Sequence, residues 1–272
     1  MIRKCFTVNP NRKKEQILDY EKMLKEKIYV GCEFFYPYNK TKEEQQEYLQ
    51  NISSYLKYNC EFVCHLPYGK DNNLATNDNL DVVMDRMCQA IDYASNLPVT
   101  KLTLHPGELD GTLSKEEAVC LASRNIKKLC KYASKYNMII MLENLVGAHE
   151  LMKTPEEYFE LKLLIDEPNL KFIFDVAHYY ASNQEVNYKK DIIQFVETVK
   201  DDLYHLHISD NDGTRDQHAR IGLGTIDFNK YFKKLESIKY EGLYSSEILF
   251  NTADDLRINA LLFDKALEGE NN

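Results

Sequence analysis

The residues best suited to chemistry lie in one stretch, from His205 to His218. An apolar segment at 203–208 predicts a short strand, and a loop carrying Asp216 and His218 follows it. Burying imidazoles and carboxylates is costly unless a metal ion or a hydrogen-bond network satisfies them. His207, Asp216 and His218 therefore predict metal ligands at and after a strand end. His205 lies two positions before His207 on the same strand face, which predicts a packed group one layer deeper.

Other predicted strands end in the same kinds of residues, and further candidates lie in the loops that follow. The strand-end residues are His65, His105, Glu143, Asp175, His207 and Glu247, and the loop residues are His178, Asp216 and His218. A lone histidine at a strand end is usually a packed core group, but this set includes five of the seven histidines. Carboxylates with imidazoles suit Zn²⁺, Mn²⁺, Mg²⁺ or Co²⁺, and the lack of cysteines at the strand ends argues against a structural zinc. We therefore expect a site for a divalent metal.

Two of these candidates, Glu143 and Glu247, end the fifth and the eighth predicted strands. In a barrel those strands lie on opposite sides of the mouth, so the two carboxylates would face each other across a metal. Such a pair can act as base and acid on a substrate held between them. We interpret both as catalytic residues that also bind the metal. Glu33, from the second strand, is a candidate for substrate contact, although an exposed or rim carboxylate explains it equally well.

The elements that must position these residues alternate along the chain. Predicted strands cover residues 2–8, 28–35, 62–65, 101–105, 138–142, 170–174, 203–208 and 243–246. Predicted helices cover residues 11–27, 42–58, 80–96, 114–136, 155–165, 187–199, 227–238 and 253–267. Eight such units, with strands that are apolar throughout, indicate an α/β fold of the (β/α)8 TIM-barrel type, and a doubly wound open sheet is the alternative. No glycine-rich phosphate-binding motif follows a strand, so no nucleotide cofactor is expected.

Length and composition predict a single TIM-barrel domain over residues 1–272, with residues 268–272 as a frayed tail. The net charge of −9 disfavours a general affinity for nucleic acid. The seven cysteines include no Cys-x-x-Cys pair, which favours reduced thiols in a cytoplasmic protein. We expect neither a signal peptide nor a membrane-spanning segment, and the sequence leaves a homo-oligomer open.

Six short motifs at the strand ends resemble the xylose isomerase-like TIM-barrel superfamily, which holds the sugar phosphate isomerases/epimerases and endonuclease IV. The motifs are His-Leu-Pro-Tyr-Gly, Leu-His-Pro-Gly, Leu-Glu-Asn, Phe-Asp-Val-Ala-His, His-Ile-Ser-Asp-Asn-Asp-Gly-Thr-Arg-Asp-Gln-His and Ser-Ser-Glu-Ile. The resemblance covers nearly the whole chain, from the second strand to the last, and its specificity lies in the order and spacing of the motifs.

The isomerase and epimerase branch implies one divalent metal held by two glutamates, one aspartate and one histidine. Those ligands match Glu143, Asp175, His207 and Glu247. The resemblance also implies that the two glutamates move the substrate proton and that His178 and Arg215 contact the substrate. The substrate implied is a small sugar, keto-sugar or sugar phosphate.

The endonuclease IV branch implies three zinc ions held by nine ligands. The six strand-end residues and three loop residues named above match all nine in order, and Tyr68 matches a residue that this branch places against DNA. However, residues 144–149 lack the Gly-Gln-Gly run of that branch, and the loop after the second strand lacks its DNA-probing arginine. We therefore favour the isomerase or epimerase reading, and an endonuclease IV-like zinc phosphodiesterase acting on abasic DNA is the alternative.

One glycine-rich segment has two interpretations. Residues 221–227 read Ile-Gly-Leu-Gly-Thr-Ile-Asp, and successive backbone N–H groups in such a segment can bind a phosphate. A turn that leads the chain into the next helix explains the same residues.

Overall fold

The computed structural model describes residues 2–182, 192–250 and 252–269. Eight parallel strands close into one barrel, and each strand lies between its neighbours in chain order. The strands are β1 Lys4–Val8, β2 Gly31–Phe35, β3 Glu61–His65, β4 Val99–Leu104, β5 Ile139–Glu143, β6 Leu170–Asp175, β7 Leu203–Ile208 and β8 Leu243–Ser246. The predicted (β/α)8 barrel is confirmed, and the alternative of an open sheet is excluded because β1 pairs with β8.

Helices cover the outside of the barrel. They are α1 Lys14–Asp19, α2 Glu21–Lys25, α3 Lys42–Ser53, α4 Leu80–Ala94, α5 Lys115–Ser134, α6 Pro155–Ile165, α7 Val176–Ala181, α8 Ile192–Val199, α9 Phe228–Ser237 and α10 Ala253–Glu268. The predicted start of α5 is confirmed, because Ser114 and Glu117 form a capping box in which each side chain accepts the other's backbone N–H. Thr154 caps α6 in the same way, ahead of a proline at the first helical position.

The barrel interior changes from apolar to polar along the strands. A small buried apolar cluster, separate from the main core, consists of Cys5, Val63, Met141, Ile173 and Leu243. Alternate residues of a strand face the same side. His65, Glu143 and Asp175 each lie two residues after a member of this cluster, on β3, β5 and β6 respectively. They therefore also face the inside of the barrel. Because the strands are parallel, these polar groups meet at the carboxyl-terminal mouth.

The predicted helix over 11–27 is wrong in its length and continuity. Residues 9–12 form a turn closed by a hydrogen bond from Arg12 N to Asn9 O (3.0 Å), so α1 begins only at Lys14. A break at Tyr20 then separates α1 from α2. The Tyr20 ring is fully buried, with ring centroids 5.8 Å from Phe6 and 5.4 Å from Phe250. Tertiary packing thus outweighs the helix propensity of a charged segment.

Smaller differences occur at the ends of elements. The predicted helix 42–58 becomes 3₁₀ from Ser54, β4 ends at Leu104 so that His105 lies just past it, and Glu268 belongs to α10 instead of a frayed tail. Gly269 caps α10 in the left-handed conformation (φ 81°), and residues 270–272 and 187–191 lie outside the described residues. All seven cysteines are free, as expected. Across the described part of the chain, no helix combines the length and apolar character that a membrane span requires.

Candidate metal centre

Four residues from four neighbouring strand ends meet at the mouth of the barrel. They are Glu143, Asp175, His207 and Glu247, and one potential ligand atom of each lies within 4.8 Å of those of the others. His207 Nδ1 lies 2.9 Å from Glu143 Oε1, 2.9 Å from Glu247 Oε2 and 3.9 Å from Asp175 Oδ2. Only the Glu247 side chain has appreciable exposure, at 16%. The structure therefore brings together the four residues that the sequence predicted as the main metal ligands.

Three carboxylate oxygens in this group lack hydrogen-bond donors. Within the described ranges, no group meets Glu143 Oε2, Asp175 Oδ2 or Glu247 Oε2 with hydrogen-bond geometry, although all three atoms are buried. A buried unpaired carboxylate oxygen is costly, and three in one place require a shared partner. Three carboxylates and one imidazole form a donor set that suits a divalent cation such as Mn²⁺, Zn²⁺, Mg²⁺ or Co²⁺. The residues present therefore fit a metal ion.

The electrostatics of the four residues also favour a cation. Burial raises the pKa of Asp175 to about 7, and the neighbouring Glu247 and Glu143 add to this effect. Burial alone would lower the pKa of His207, but the adjacent carboxylates hold it well above its ordinary value. Burial opposes ionisation of Glu143 and Glu247, yet His207 keeps both pKa values below the ordinary range. The single positive charge of His207 thus offsets only part of the negative charge of the three carboxylates, and a divalent ion would neutralise the rest.

A flanking group of possible ligands lies on the side of β3 and β4. His65 Nε2 and His105 Nε2 lie 3.6 Å and 3.2 Å from Glu143 Oε2. The ring of Tyr68 lies beside both histidines, with centroids 5.0 Å from His65 and 4.9 Å from His105. Tyr68 is 46% exposed and so forms part of the mouth. Glu143 belongs to this group and to the central one, so the two adjoin.

A second flanking group lies on the side of α7 and the loop after β7. Asp216 Oδ2 lies 2.9 Å from His218 Nε2 and 3.6 Å from His178 Nε2. Asp175 caps α7 by accepting the backbone N–H of His178 (2.7 Å), which brings both residues to the same rim as predicted. All nine predicted ligands therefore lie in three adjoining groups. Arg215 is exposed in the same loop, and its predicted contact with substrate stays a prediction.

Three of the peripheral histidines are oriented in the same way. The Nδ1 atoms of His65, His178 and His218 contact the backbone carbonyls of Leu66, Asn144 and Glu247 at 2.8, 3.0 and 2.8 Å. A backbone carbonyl only accepts, so each ring carries its proton on Nδ1 and directs Nε2 toward a carboxylate. Histidines that bind metals are commonly oriented by such a hydrogen bond on the other ring nitrogen.

Glu33 does not occupy the exposed or rim position that the sequence suggested. Its side chain is 0% exposed, inside the barrel and beneath the metal centre. Oε1 accepts a hydrogen bond from Thr103 Oγ1 (2.7 Å), and Oε2 lies 2.8 Å from Ser245 Oγ, 2.9 Å from His205 Nε2 and 3.0 Å from His207 Nε2. Burial would raise the pKa of Glu33, but His207 and His205 hold it well below its ordinary value. His205 is packed one layer deeper than His207, as predicted.

Two residues that shape the site were missed by sequence reasoning. Asn144, buried directly after Glu143, accepts the backbone N–H of Asp175 at Oδ1 (2.9 Å) and donates from Nδ2 to the Asp175 carbonyl (2.8 Å). Asp210 is buried and accepts backbone N–H groups from the segment 221–227 that the sequence left open for a phosphate. The place of Asn144 next to a strand-end glutamate was an available signal, whereas nothing in the sequence paired Asp210 with that segment.

Several known proteins are partial relatives of this chain. An uncharacterized protein of Methanocaldococcus jannaschii is 27% identical over 195 residues, which are 70% of this chain and 65% of that protein. Fructoselysine 3-epimerase of Escherichia coli O157:H7 is 24% identical over 139 residues, 51% of this chain and 48% of the relative. A probable endonuclease 4 of Enterococcus faecalis is 28% identical over 180 residues, 61% of this chain and 58% of the relative. The chain thus spans less than two thirds of the length of each of these three proteins.

The fold and the family are shown by broader matches. The crystal structure of a D-tagatose 3-epimerase-like protein superposes with a TM-score of 0.77 over 98% of both chains, at 24% sequence identity. At that identity the superposition shows a shared fold. Residues 27–262 match the sequence model of the family described as xylose isomerase-like TIM barrel. The chain therefore belongs to the xylose isomerase-like TIM barrel family.

Proposed function

We propose that this protein is a divalent-metal-dependent isomerase or epimerase of a small sugar, keto-sugar or sugar phosphate. The observation that carries the proposal is the set of three buried carboxylate oxygens without hydrogen-bond donors, one on each of the three acidic residues that surround His207 at the barrel mouth. Buried oxygens without partners destabilise the folded state, and this cost is offset if they bind a cation that takes part in a reaction. The partial relative that is a fructoselysine 3-epimerase supports sugar epimerisation as the reaction class.

In this proposal Glu143, Asp175, His207 and Glu247 hold the metal. Bound there, the ion would act as a Lewis acid that makes the C–H between a sugar carbonyl and hydroxyl more acidic. Glu247, at 16% exposure, can take that proton from a substrate in the mouth and leave an enediolate. Glu143, nearly enclosed at 1% exposure, would return a proton from the other side after first taking one up from solvent, and Glu247 would release its proton to solvent before the next turnover. His178, Arg215 and Tyr68 are the proposed substrate contacts.

The test replaces the proposed base without changing its size. A Glu247→Gln substitution keeps one oxygen for the metal but cannot take up a proton. We expect it to slow the entry of solvent deuterium at the carbon beside the sugar carbonyl by about 10²–10⁴-fold, the usual effect of losing a positioned base. NMR of ketoses and their phosphates in D2O measures the exchange. The Glu160→Gln variant, on the exposed side of α6, is the matched control and should exchange at the wild-type rate.

Two results would contradict the proposal. Exchange at the wild-type rate in Glu247→Gln would leave Glu247 as a ligand only and exclude the mechanism with two glutamates. Wild-type protein loaded with Mn²⁺ or Zn²⁺ that exchanges deuterium into none of the ketoses or their phosphates would exclude the reaction class.

A zinc phosphodiesterase is the second candidate, and a specific observation favours it. The two flanking groups adjoin the central one, and together they supply nine potential ligands. Three zinc ions per chain by elemental analysis, with incision of an abasic duplex, would establish this alternative, whereas one ion per chain favours the isomerase. We expect no incision at moderate salt, because the net charge is −9 and DNA binding depends on neutralising phosphates.

A further inference from the structure

The Glu33 carboxylate lies at the centre of a closed hydrogen-bond network below the metal centre. The strand register places Glu33 between Thr7 and Val63, so its side chain enters the barrel from β2. It reaches across the interior to β4, β7 and β8, where it contacts four side chains at 2.7–3.0 Å. Both carboxylate oxygens are therefore satisfied, in contrast to the unpaired oxygens at the mouth.

The network fixes which groups donate. An ionised carboxylate only accepts, so each of its contacts must supply a hydrogen. The two hydroxyls can rotate to do so, but an imidazole nitrogen must carry its proton at that position. His205 and His207 both approach Glu33 Oε2 with Nε2, at 2.9 and 3.0 Å. Both rings therefore bear a proton on Nε2.

Glu33, His205 and His207 are also close enough together to be considered as a second metal site. A metal centre needs free lone pairs, but both oxygens of Glu33 already accept hydrogen bonds from the hydroxyls of Thr103 and Ser245, at 2.7 and 2.8 Å, unlike the three carboxylate oxygens at the mouth. This group is a hydrogen-bond network beneath the metal centre.

The orientation of His207 is the reverse of that of three other histidines at the mouth. His65, His178 and His218 hold their proton on Nδ1 against a backbone carbonyl and direct Nε2 toward carboxylates. His207 instead donates from Nε2 to Glu33, while its Nδ1 donates to Glu143 Oε1 at 2.9 Å and lies 2.9 Å from Glu247 Oε2. A metal ion bound among these carboxylates would replace the proton on Nδ1 and leave the one on Nε2. The acceptor behind it is a charged carboxylate, which makes the opposite nitrogen a better ligand than a neutral carbonyl would.

We propose that Glu33 is a positioning residue, which holds the proton of His207 on Nε2 and thereby directs the lone pair of Nδ1 at the metal centre. The proposal rests on the metal site of the proposed function and is independent of the sugar chemistry. It replaces the role in substrate contact that the sequence suggested for Glu33.

The first test measures metal affinity. Zn²⁺ titration by calorimetry compares the wild type with Glu33→Gln, which keeps the volume but replaces the charged acceptor with a neutral amide. We expect affinity to fall about 10–100-fold, the usual effect of removing a group that orients a metal ligand. Ser245→Ala is the matched control: it removes one donor to the same Glu33 oxygen and leaves both imidazole contacts. Its affinity should stay within about threefold of the wild type, below the loss expected for an orienting group.

The second test reads the imidazole directly, and its measurement on the wild type does not depend on whether the variant folds. Long-range ¹H–¹⁵N NMR of the zinc-loaded wild type should show His207 with the metal on Nδ1 and the proton on Nε2. In Glu33→Gln the Nε2 proton should move upfield, because its acceptor has lost its charge. Metal on Nε2 in the wild type, or affinity in Glu33→Gln equal to that of Ser245→Ala, would overturn the proposal. Protein that binds no metal would overturn this proposal and the proposed function together, whereas a bound metal without sugar exchange would overturn only the latter.

Discussion

Asn144 shows how much a single buried side chain contributes to this site. Its amide satisfies both the N–H and the carbonyl of Asp175, and its own carbonyl accepts from His178 Nδ1. One residue thus fixes the backbone of one proposed ligand and the ring of its neighbour. The bonds span 31 and 34 positions of sequence, so they join β5 to the end of β6 and to α7.

We predict that Asn144→Ala weakens both the fold and metal binding. The substitution leaves the N–H and the carbonyl of Asp175 buried without partners, at a cost of about 1–3 kcal/mol each. Urea unfolding measures the stability, and Zn²⁺ titration measures the affinity. Asn125→Ala is the control, because Asn125 is equally buried and donates to the Leu74 carbonyl away from the mouth. It should lower stability alone, and an equal loss of zinc affinity in both variants would contradict a local role for Asn144.

At the scale of residues, the sequence predicts which side chains reach the mouth but not what they do there. The nine proposed ligands were found because each lies at or just after a strand end. Glu33 lies on the inward face two residues before the end of β2, and its depth was misjudged because burial depends on partners from β4, β7 and β8. Which nitrogen of a histidine faces a metal likewise depends on contacts between distant strands, such as the pair Glu33 and His207, 174 positions apart.

At the scale of elements, the strands were predicted better than the helices and loops. Buried parallel strands read as short apolar runs, and β7 and β8 have the predicted bounds. The role of the segment that follows β7 was predicted less well from the sequence. Two glycines at 222 and 224 suggested a phosphate site, but Asp210 already occupies their N–H groups, at 2.8 and 2.9 Å. A Cβ at position 224 would collide with the Asp210 carboxylate, so the glycine there serves this close approach.

We predict that Asp210→Asn loosens the loop that carries Arg215, Asp216 and His218. The Asp210 carboxylate accepts four backbone N–H groups, and an amide at the same place would turn an NH2 group toward some of them. Amide hydrogen exchange at 211, 222, 224 and 226 should become faster, while exchange in the barrel strands stays slow. Asp212→Asn is the control in the same loop, since Asp212 is exposed and its carboxylate accepts from the N–H and the hydroxyl of Thr214, two residues away. Equal exchange in the two variants would contradict the organising role of Asp210.

At the scale of the whole molecule, barrel closure concentrates negative charge at one end. Residues up to 104 positions apart, from Glu143 to Glu247, converge because parallel strands all end at one face. The chain as a whole has a net charge of −9, so it has no overall positive charge that would offset this repulsion. A metal that binds only the folded barrel must then stabilise it by mass action.

We therefore predict that chelator lowers the melting temperature and that added Mn²⁺ or Zn²⁺ restores it. Free metal at about 100 times its Kd contributes about 2.7 kcal/mol. In a domain of this size each kcal/mol shifts Tm by about 2–4 °C, so the expected rise is about 5–10 °C. Differential scanning calorimetry measures it, with NaCl at matched ionic strength to separate specific binding from screening. His207→Gln should lose most of the metal-dependent rise, because it removes the imidazole that three of the carboxylates surround. If chelator and metal left the wild-type Tm unchanged, or if His207→Gln kept the full rise, the ion would not bind at this mouth.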